Sequence, residues 1–344
     1  MTAPYGRGLL RLAAAVDQRA AHDVGAYAES ARLAERGALD FVTLHDSLAR
    51  PGPDALDVLA RVAPATDRIG LVPTVPATHT EHFRVRAAVA ELDRVSGGRA
   101  GWRIDVAASE GGTRAAGRRR TAAAEALRRE AGEVADVAAR LWDEPLPVDV
   151  DGGVSAVGGP AIVPRSPQGH PVRVVDATDR HARRVAARYA DVALVQADGP
   201  ERAGAVRDEL RSAAAASGRD PGTPRVFAHL VVDLGGGEYA ADPGHGGGGP
   251  RWTAHGPLYR GGPVDFAELI TSWHRAGVVD GFHLVPAEPR RDLERLVNGT
   301  VALLQHRGLF RTFYPGRTLR EHLGLARPAK RYAVGETGVT GAAS

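Results

Sequence analysis

The chain has 344 residues, of which 43% are hydrophobic, and its 44 Lys+Arg against 41 Asp+Glu leave a formal net charge of +3. That length supports one large barrel or two ordinary domains with a real core. The absence of cysteine excludes a disulfide scaffold, a thiolate nucleophile and a cysteine metal site. The pI of about 9.5 follows from arginine, since Lys330 is the only lysine. Arg118-Arg119-Arg120 opens a helix that soon carries Glu125, Glu130 and Glu133. It reads as a solvated face, and with no stripe of alternating basic and aromatic residues no nucleic-acid partner is expected. No apolar run reaches membrane length and the N-terminus has a poor signal-peptide shape, so a cytoplasmic protein without a membrane partner is expected.

From the N-terminus, Leu9–Val16 (LLRLAAAV) is a buried-strand pattern, and Ala26–Gly37 has apolar residues at helical spacing and closes on glycine. DFVTLHD is the next strand, followed by a helix over Ala55–Thr66, a strand over Ile69–Ala77 and a helix ending at Ser96. Gly97-Gly98 stops that helix, because glycine takes the positive φ values that end helices without a Cβ penalty. A strand over Ala100–Ala107 alternates Trp102, Ile104 and Val106 with Arg103 and Asp105, and a long helix is predicted over Thr121–Asp143. The glycine- and proline-rich 148–168 reads as a surface excursion. Then come VRVVDA, DRHARRVAARYA, VALVQA, PERAGAVRDELRSAAAAS, RVFAHLVVDL, DFAELITSWHRAG, GFHLVPA and RRDLERLVNGTVALLQHRG, alternately strand and helix. Residues 235–263 read as a flexible loop, either a plain linker or an active-site lid, and 334–344 as an irregular tail.

The count is eight strand–helix pairs, the signature of a (β/α)₈ TIM barrel occupying 1–333, with excursions after helix 4 and strand 7. A doubly wound open sheet is the other reading, but no Gly-rich phosphate fingerprint follows the first strand. In a barrel the site lies at the carboxyl ends of the strands, which singles out Arg103. His229 and His283, inside the seventh and eighth strands, are either site residues or satisfied core histidines. His79 and His82 lack a nameable third ligand, so no metal is expected.

Several stretches resemble the bacterial luciferase-like flavin-dependent monooxygenases, in the branch of the nitrilotriacetate and dibenzothiophene-sulfone enzymes. They are DFVTLHDSLA, DRIGLVPTVPATHTEHF, ELDRVSGGRAGW, PQGHPV, AARYADVALV, WHRAGVVDGFHLVP and the C-terminal run from LVNGTVALLQ to PAKRYA. The resemblance implies a TIM barrel that binds reduced FMN, takes it from a separate NAD(P)H:flavin reductase, and uses O₂. It implies oxygenation of a small organic substrate through a C4a-(hydro)peroxyflavin, and a homodimer. Asp46 and Ser47 correspond to the Asp-Ser that meets the isoalloxazine, and Thr78 and Thr80 to the loop lining the ring. Arg103 takes the place of an asparagine near the flavin, Thr178 falls in the phosphate loop, and Arg180 or His181 is placed to pair with the phosphate. His79 as proton donor, His45 and Arg103 are the candidate catalytic residues. His45 faces either the mouth or the surrounding helices; Arg103 either stabilises an anionic flavin or pairs with Asp105 or an acid on a neighbouring strand.

The chain also departs from the family pattern. Its phosphate loop, Asp176 to His181, lacks the expected glycine. A carboxylate ~4 Å from a phosphate charge costs on the order of 4 kcal/mol at an effective dielectric of about 20, so Asp176 is expected to point away. These departures sustain alternatives: a deazaflavin in place of FMN, or a diverged barrel without flavin oxygenase chemistry.

Overall fold

The computed structural model describes residues 8–17, 23–45, 54–76, 82–105, 166–235, 237, 249–254 and 256–328. Eight parallel strands close a barrel: β1 (Arg11–Ala15), β2 (Phe41–Leu44), β3 (Gly70–Pro76), β4 (Gly101–Asp105), β5 (Val172–Asp176), β6 (Val192–Val195), β7 (Arg225–Asp233) and β10 (Gly281–Pro286). Each pairs with the next in sequence, and β10 closes the ring against both β7 and β1. The crossover helices are α1 (Val24–Arg36), α2 (Ala55–Val62), α3 (His82–Val95), α4 (Arg180–Tyr189), α5 (Pro200–Ala216), α6 (Pro263–Ala276) and α7 (Pro289–Arg295). The predicted helix over Thr121–Asp143 lies outside the described residues, as do most of the excursion and the tail. Among the described residues no helix is long and apolar enough to cross a membrane.

The strands are short and rich in valine, leucine and alanine because both faces are buried. Outward-facing residues such as Leu12, Leu39, Val42 and Leu71 join the helices in one large core. Inward-facing Ala13, Phe41, Val72, Val174, Leu194 and Phe227 fill the barrel and are fully buried. Leu319 and Leu323, on and just after a short helix α9 (Leu319–His322), close the barrel's amino end. Thr318 caps this helix in a reciprocal capping box with Glu321.

The turn predicted before β4 forms as expected: Gly97 has φ +67° and Gly98 φ +92°. A Cβ on Gly98 would lie 2.9 Å from Thr318 Cγ2, so both the backbone conformation and the close approach require glycine. The chain then buries Arg99, whose guanidinium bonds the carbonyls of Ser96, Ala63, Thr66 and Ile69 and the Thr66 hydroxyl. Asp93 on α3 fixes the same corner, accepting from Ala100 N–H, Ser166 and Gln168.

Three expectations are corrected. The single last helix carries a π turn, Leu296–Val301, between α7 and α8 (Ala302–His306). A Cβ on Gly299 would meet the Pro263 side chain at 2.6 Å, so the glycine lets α6 pack onto this turn, where Thr300 bonds Pro263 O. The end of the excursion is not surface: Gln168 is buried and bonds both Asp93 and Ala100 O. The stretch 235–263 is not a loop throughout. β8 (Arg251–Thr253) and β9 (Gly256–Arg260) form an antiparallel hairpin, and β9 adds in parallel to the upper half of β7. The physical reason is edge satisfaction: β6 pairs only with Arg225–Ala228, so β7 beyond that point needs another partner.

Candidate active site

Side chains alternate along a strand with period two, so the residue two beyond each inward apolar position also points into the barrel. Above Phe41, Val72, Gly101, Val174, Phe227 and Gly281 stand Thr43, Thr74, Arg103, Asp176, His229 and His283. A polar belt near the carboxyl ends therefore rests on an apolar floor in which the Phe41 and Phe227 rings stack 5.9 Å apart. The Phe41 ring also stacks against His283 at 6.3 Å, joining the two layers.

Two hydrogen-bonded groups make up the belt. On one side Arg103 Nη2 donates to Asp176 Oδ2 at 3.1 Å, a pair whose guanidinium side chain is 15% exposed. The other Asp176 oxygen accepts the Thr178 N–H at 2.9 Å and the Thr178 hydroxyl. Burial raises the Asp176 carboxyl, but Arg103, His229 and the Thr178 bonds outweigh it and hold it below the usual carboxylate range. On the other side the Nδ1 atoms of His229 and His283 are 2.8 Å apart, and His283 Nε2 lies 2.8 Å from Thr43 Oγ1. Burial, reinforced by the Arg103 charge, lowers His229 to about 4 despite the opposing pull of Asp176. Burial, then His229 and Arg103, hold His283 well below the ordinary histidine range. Both imidazoles are neutral near pH 7.

Asp17, just past β1, accepts the His45 backbone N–H at 2.7 Å; burial raises its carboxyl, with His45 and Arg103 opposing. Thr74 is 2% exposed, and its hydroxyl has no hydrogen-bond partner among the described residues. A buried hydroxyl without a partner is uncommon in a folded protein and marks this position on the inner face.

The structure places the candidate residues as follows. Arg103 is in the belt, and its ion-pair reading holds, with Asp176 on the neighbouring strand as the partner. Asp176 does not turn away from the mouth: it faces inward because Arg103 and Thr178 meet its charge. Thr178 is exposed and spends its N–H and hydroxyl on Asp176, while Arg180 is exposed as the first residue of α4. Asp179 caps that helix by accepting from Ala182 N–H at 2.8 Å. His45 is exposed at the end of β2. Asp46, Ser47, Thr78, His79 and Thr80 lie outside the described residues. Sequence reasoning missed Asp17, Thr43 and Thr74, although their places at or beyond the carboxyl ends of β1, β2 and β3 were the available signal. Among the described residues no cluster of three or more His, Asp or Glu is arranged to hold a metal ion.

Comparison with known proteins agrees with the barrel fold. The chain is 26% identical to N-acetyl-S-(2-succino)cysteine monooxygenase of Bacillus subtilis, over 89% of this chain and 91% of that protein. It is 27% identical to nitrilotriacetate monooxygenase component A of Aminobacter aminovorans, over 91% and 92%. Its fold superposes on EDTA monooxygenase of Chelativorans sp. BNC1 with a TM-score of 0.76, covering 93% of this chain and 99% of that one at 21% identity. The family described as luciferase-like monooxygenase matches residues 9–242, more than half of the chain and seven of its eight barrel strands in full. On that match, the chain belongs to the luciferase-like monooxygenase family.

Proposed function

We propose that the protein is a flavin-dependent monooxygenase that uses reduced FMN, supplied by a separate reductase, and O₂ to oxygenate a small organic substrate. Family membership supports the reaction class, and the observation that carries the cofactor is the belt itself. The unsatisfied Thr74 hydroxyl, the anchored Arg103 and the neutral histidine pair offer donors, acceptors and one fixed cation to a planar polar ring over an apolar floor. That donor set fits a flavin ring. Reduced FMN bound there supplies the activation of O₂. Thr74 would hold the ring edge, and Arg103, kept in place by Asp176, would set a positive charge beside it. Phe41 and Phe227 exclude water from below. Asp46, Ser47, Thr78 and Thr80 are proposed to complete the ring contacts, and Arg180 at the start of α4 to face the phosphate. His79 and His45 remain candidate proton donors.

The relative named component A supports a two-component system, and the family resemblance supports a homodimer. The test is anaerobic titration with reduced FMN, followed by mixing with oxygenated buffer and a panel of small chelates, thioethers and sulfones. Binding at micromolar flavin with substrate-dependent O₂ consumption is expected. No binding of FMN while a reduced deazaflavin binds would transfer the site to that cofactor. Binding of neither would favour the second reading, a barrel without flavin chemistry, which the occupied Asp176–Thr178 loop motivates.

A further inference from the structure

Thr43, His283 and His229 form one hydrogen-bonded line across β2, β10 and β7. Two neutral imidazoles carry two ring protons on four nitrogens, and a 2.8 Å Nδ1–Nδ1 contact admits a single hydrogen between the rings. Only two arrangements satisfy that contact. In the first, His229 Nδ1–H donates inward, His283 Nε2–H donates to Thr43, and the buried Thr43 hydroxyl hydrogen has no acceptor among the described residues. In the second, the Thr43 hydroxyl donates to His283 Nε2, His283 Nδ1–H donates to His229 Nδ1, and the remaining hydrogen sits on His229 Nε2. Here every hydrogen inside the line is used. A buried donor left without an acceptor is costly, so the second arrangement prevails.

His229 is partly exposed, whereas His283 and Thr43 are buried. Among the described residues none bonds His229 Nε2, and His229 is the one partly exposed member of the line, so this nitrogen is the end that a ligand can reach. We infer that His229 is a neutral hydrogen-bond donor at the barrel mouth, presenting Nε2–H to a carbonyl or anionic acceptor of the bound ring or substrate, and that Thr43 and His283 are positioning residues that fix its tautomer. A chain of partners that sets which ring nitrogen carries the proton is the same device that orients metal-bound histidines. The charges around His229 agree with a neutral ring: Arg103 from β4 and His45 just after β2 disfavour the cation, and Asp176 from β5 only partly opposes them. Around His283, burial, His229 and Arg103 act in one direction. The inference of a flavin acceptor rests on the function proposed above; the tautomer does not.

The test is long-range ¹H–¹⁵N NMR of protein labelled at its 13 histidines, with His229 and His283 assigned by difference from His229→Gln and His283→Gln. In wild type between pH 6 and 8, His229 should show the Nε2–H pattern and His283 the Nδ1–H pattern, neither titrating with a midpoint near 6.5. Thr43→Val should release the constraint so that a second tautomer of His283 becomes visible, and Thr43→Ser should restore the wild-type spectrum. A bare His229 Nε2, a midpoint near 6.5 for either ring, or an unchanged Thr43→Val spectrum overturns the inference. Anaerobic addition of reduced FMN should then shift the His229 Nε2–H signal. Reduced FMN that binds without moving that signal refutes His229 as its donor. Reduced FMN that fails to bind refutes the proposed function, while the tautomer is decided in the free protein.

Discussion

Arg99 offers the most direct check on how the fold carries the site. It is 4% exposed, and its five N–H donors are all used: Nε to Ser96 O at 2.7 Å, Nη1 to Thr66 Oγ1 and Ile69 O at 2.9 Å each, and Nη2 to Ala63 O at 2.9 Å and Thr66 O at 3.0 Å. Apart from Ser96 O at the end of α3, these acceptors line the descent from α2 into β3, the strand that carries Thr74 to the mouth. Burial lowers the Arg99 guanidinium from its ordinary value, with Glu35 and Asp67 opposing, yet it stays charged. Arg99→Ala takes a donor from four carbonyls and a hydroxyl, of which Ala63 O keeps the Thr66 N–H and hydroxyl. At roughly 1–3 kcal/mol for each group left wholly dry, and with water entering the vacated space to satisfy several, the net cost is about 4 kcal/mol. A chain of this length unfolds with an entropy near 0.7 kcal/mol per degree, so the transition should fall by about 6 °C. Arg99→Lys has three donors on one atom and cannot span the fork, so about half the loss should remain. The assay is urea unfolding followed by far-UV circular dichroism and tryptophan fluorescence. Arg99→Ala within about 1 kcal/mol of wild type, or Arg99→Lys as damaging as Arg99→Ala, would refute the reasoning.

Two further outcomes follow from the buried charges. His322 is lowered to about 4, by burial first and then Arg311, and His229 is lowered similarly by burial and Arg103. Their native forms refuse a proton that the unfolded chain accepts below about 6.5, so stability is constant above that pH. It is lost as pH falls from 6.5 to 4, by up to about 3 kcal/mol per histidine. Urea midpoints measured from pH 7 to 4.5 should show this fall, and His322→Gln should flatten it; an equally steep profile in the variant contradicts the assignment. At the mouth, Asp176→Asn removes the carboxylate that Arg103 is hydrogen-bonded to in a partly exposed setting, leaving only the more distant pull of Asp17, which should cost about 1–2 kcal/mol. A double-mutant cycle with Arg103→Gln should return a coupling of that size, and a coupling under about 0.3 kcal/mol would mean the pair is incidental.

Local pattern alone determined the alternation of short valine-, leucine- and alanine-rich strands with amphipathic helices, the glycine turn at Gly97-Gly98, and hence the barrel. Periods of 2 and 3.6 are written into consecutive residues and need no distant partner to be read. The position of Arg103 near the carboxyl end of its strand was legible for the same reason. Its partner was not, because Asp176 lies 73 positions away and meets Arg103 only when β4 and β5 pair in register. His283 likewise meets Thr43 across 240 positions and His229 across 54, through strands brought together by barrel closure. The β8–β9 hairpin escaped notice because Arg251–Arg260 has weak strand character of its own and is ordered by the edge of β7 that β6 leaves open. Nothing local marks Arg99 as buried, because only the convergence of α2, α3 and β3 surrounds it with acceptors. Sequence thus determined which elements form and which ends they present, whereas tertiary structure decided which polar groups meet, since hydrogen bonds are set by distances that closure of the sheet alone defines.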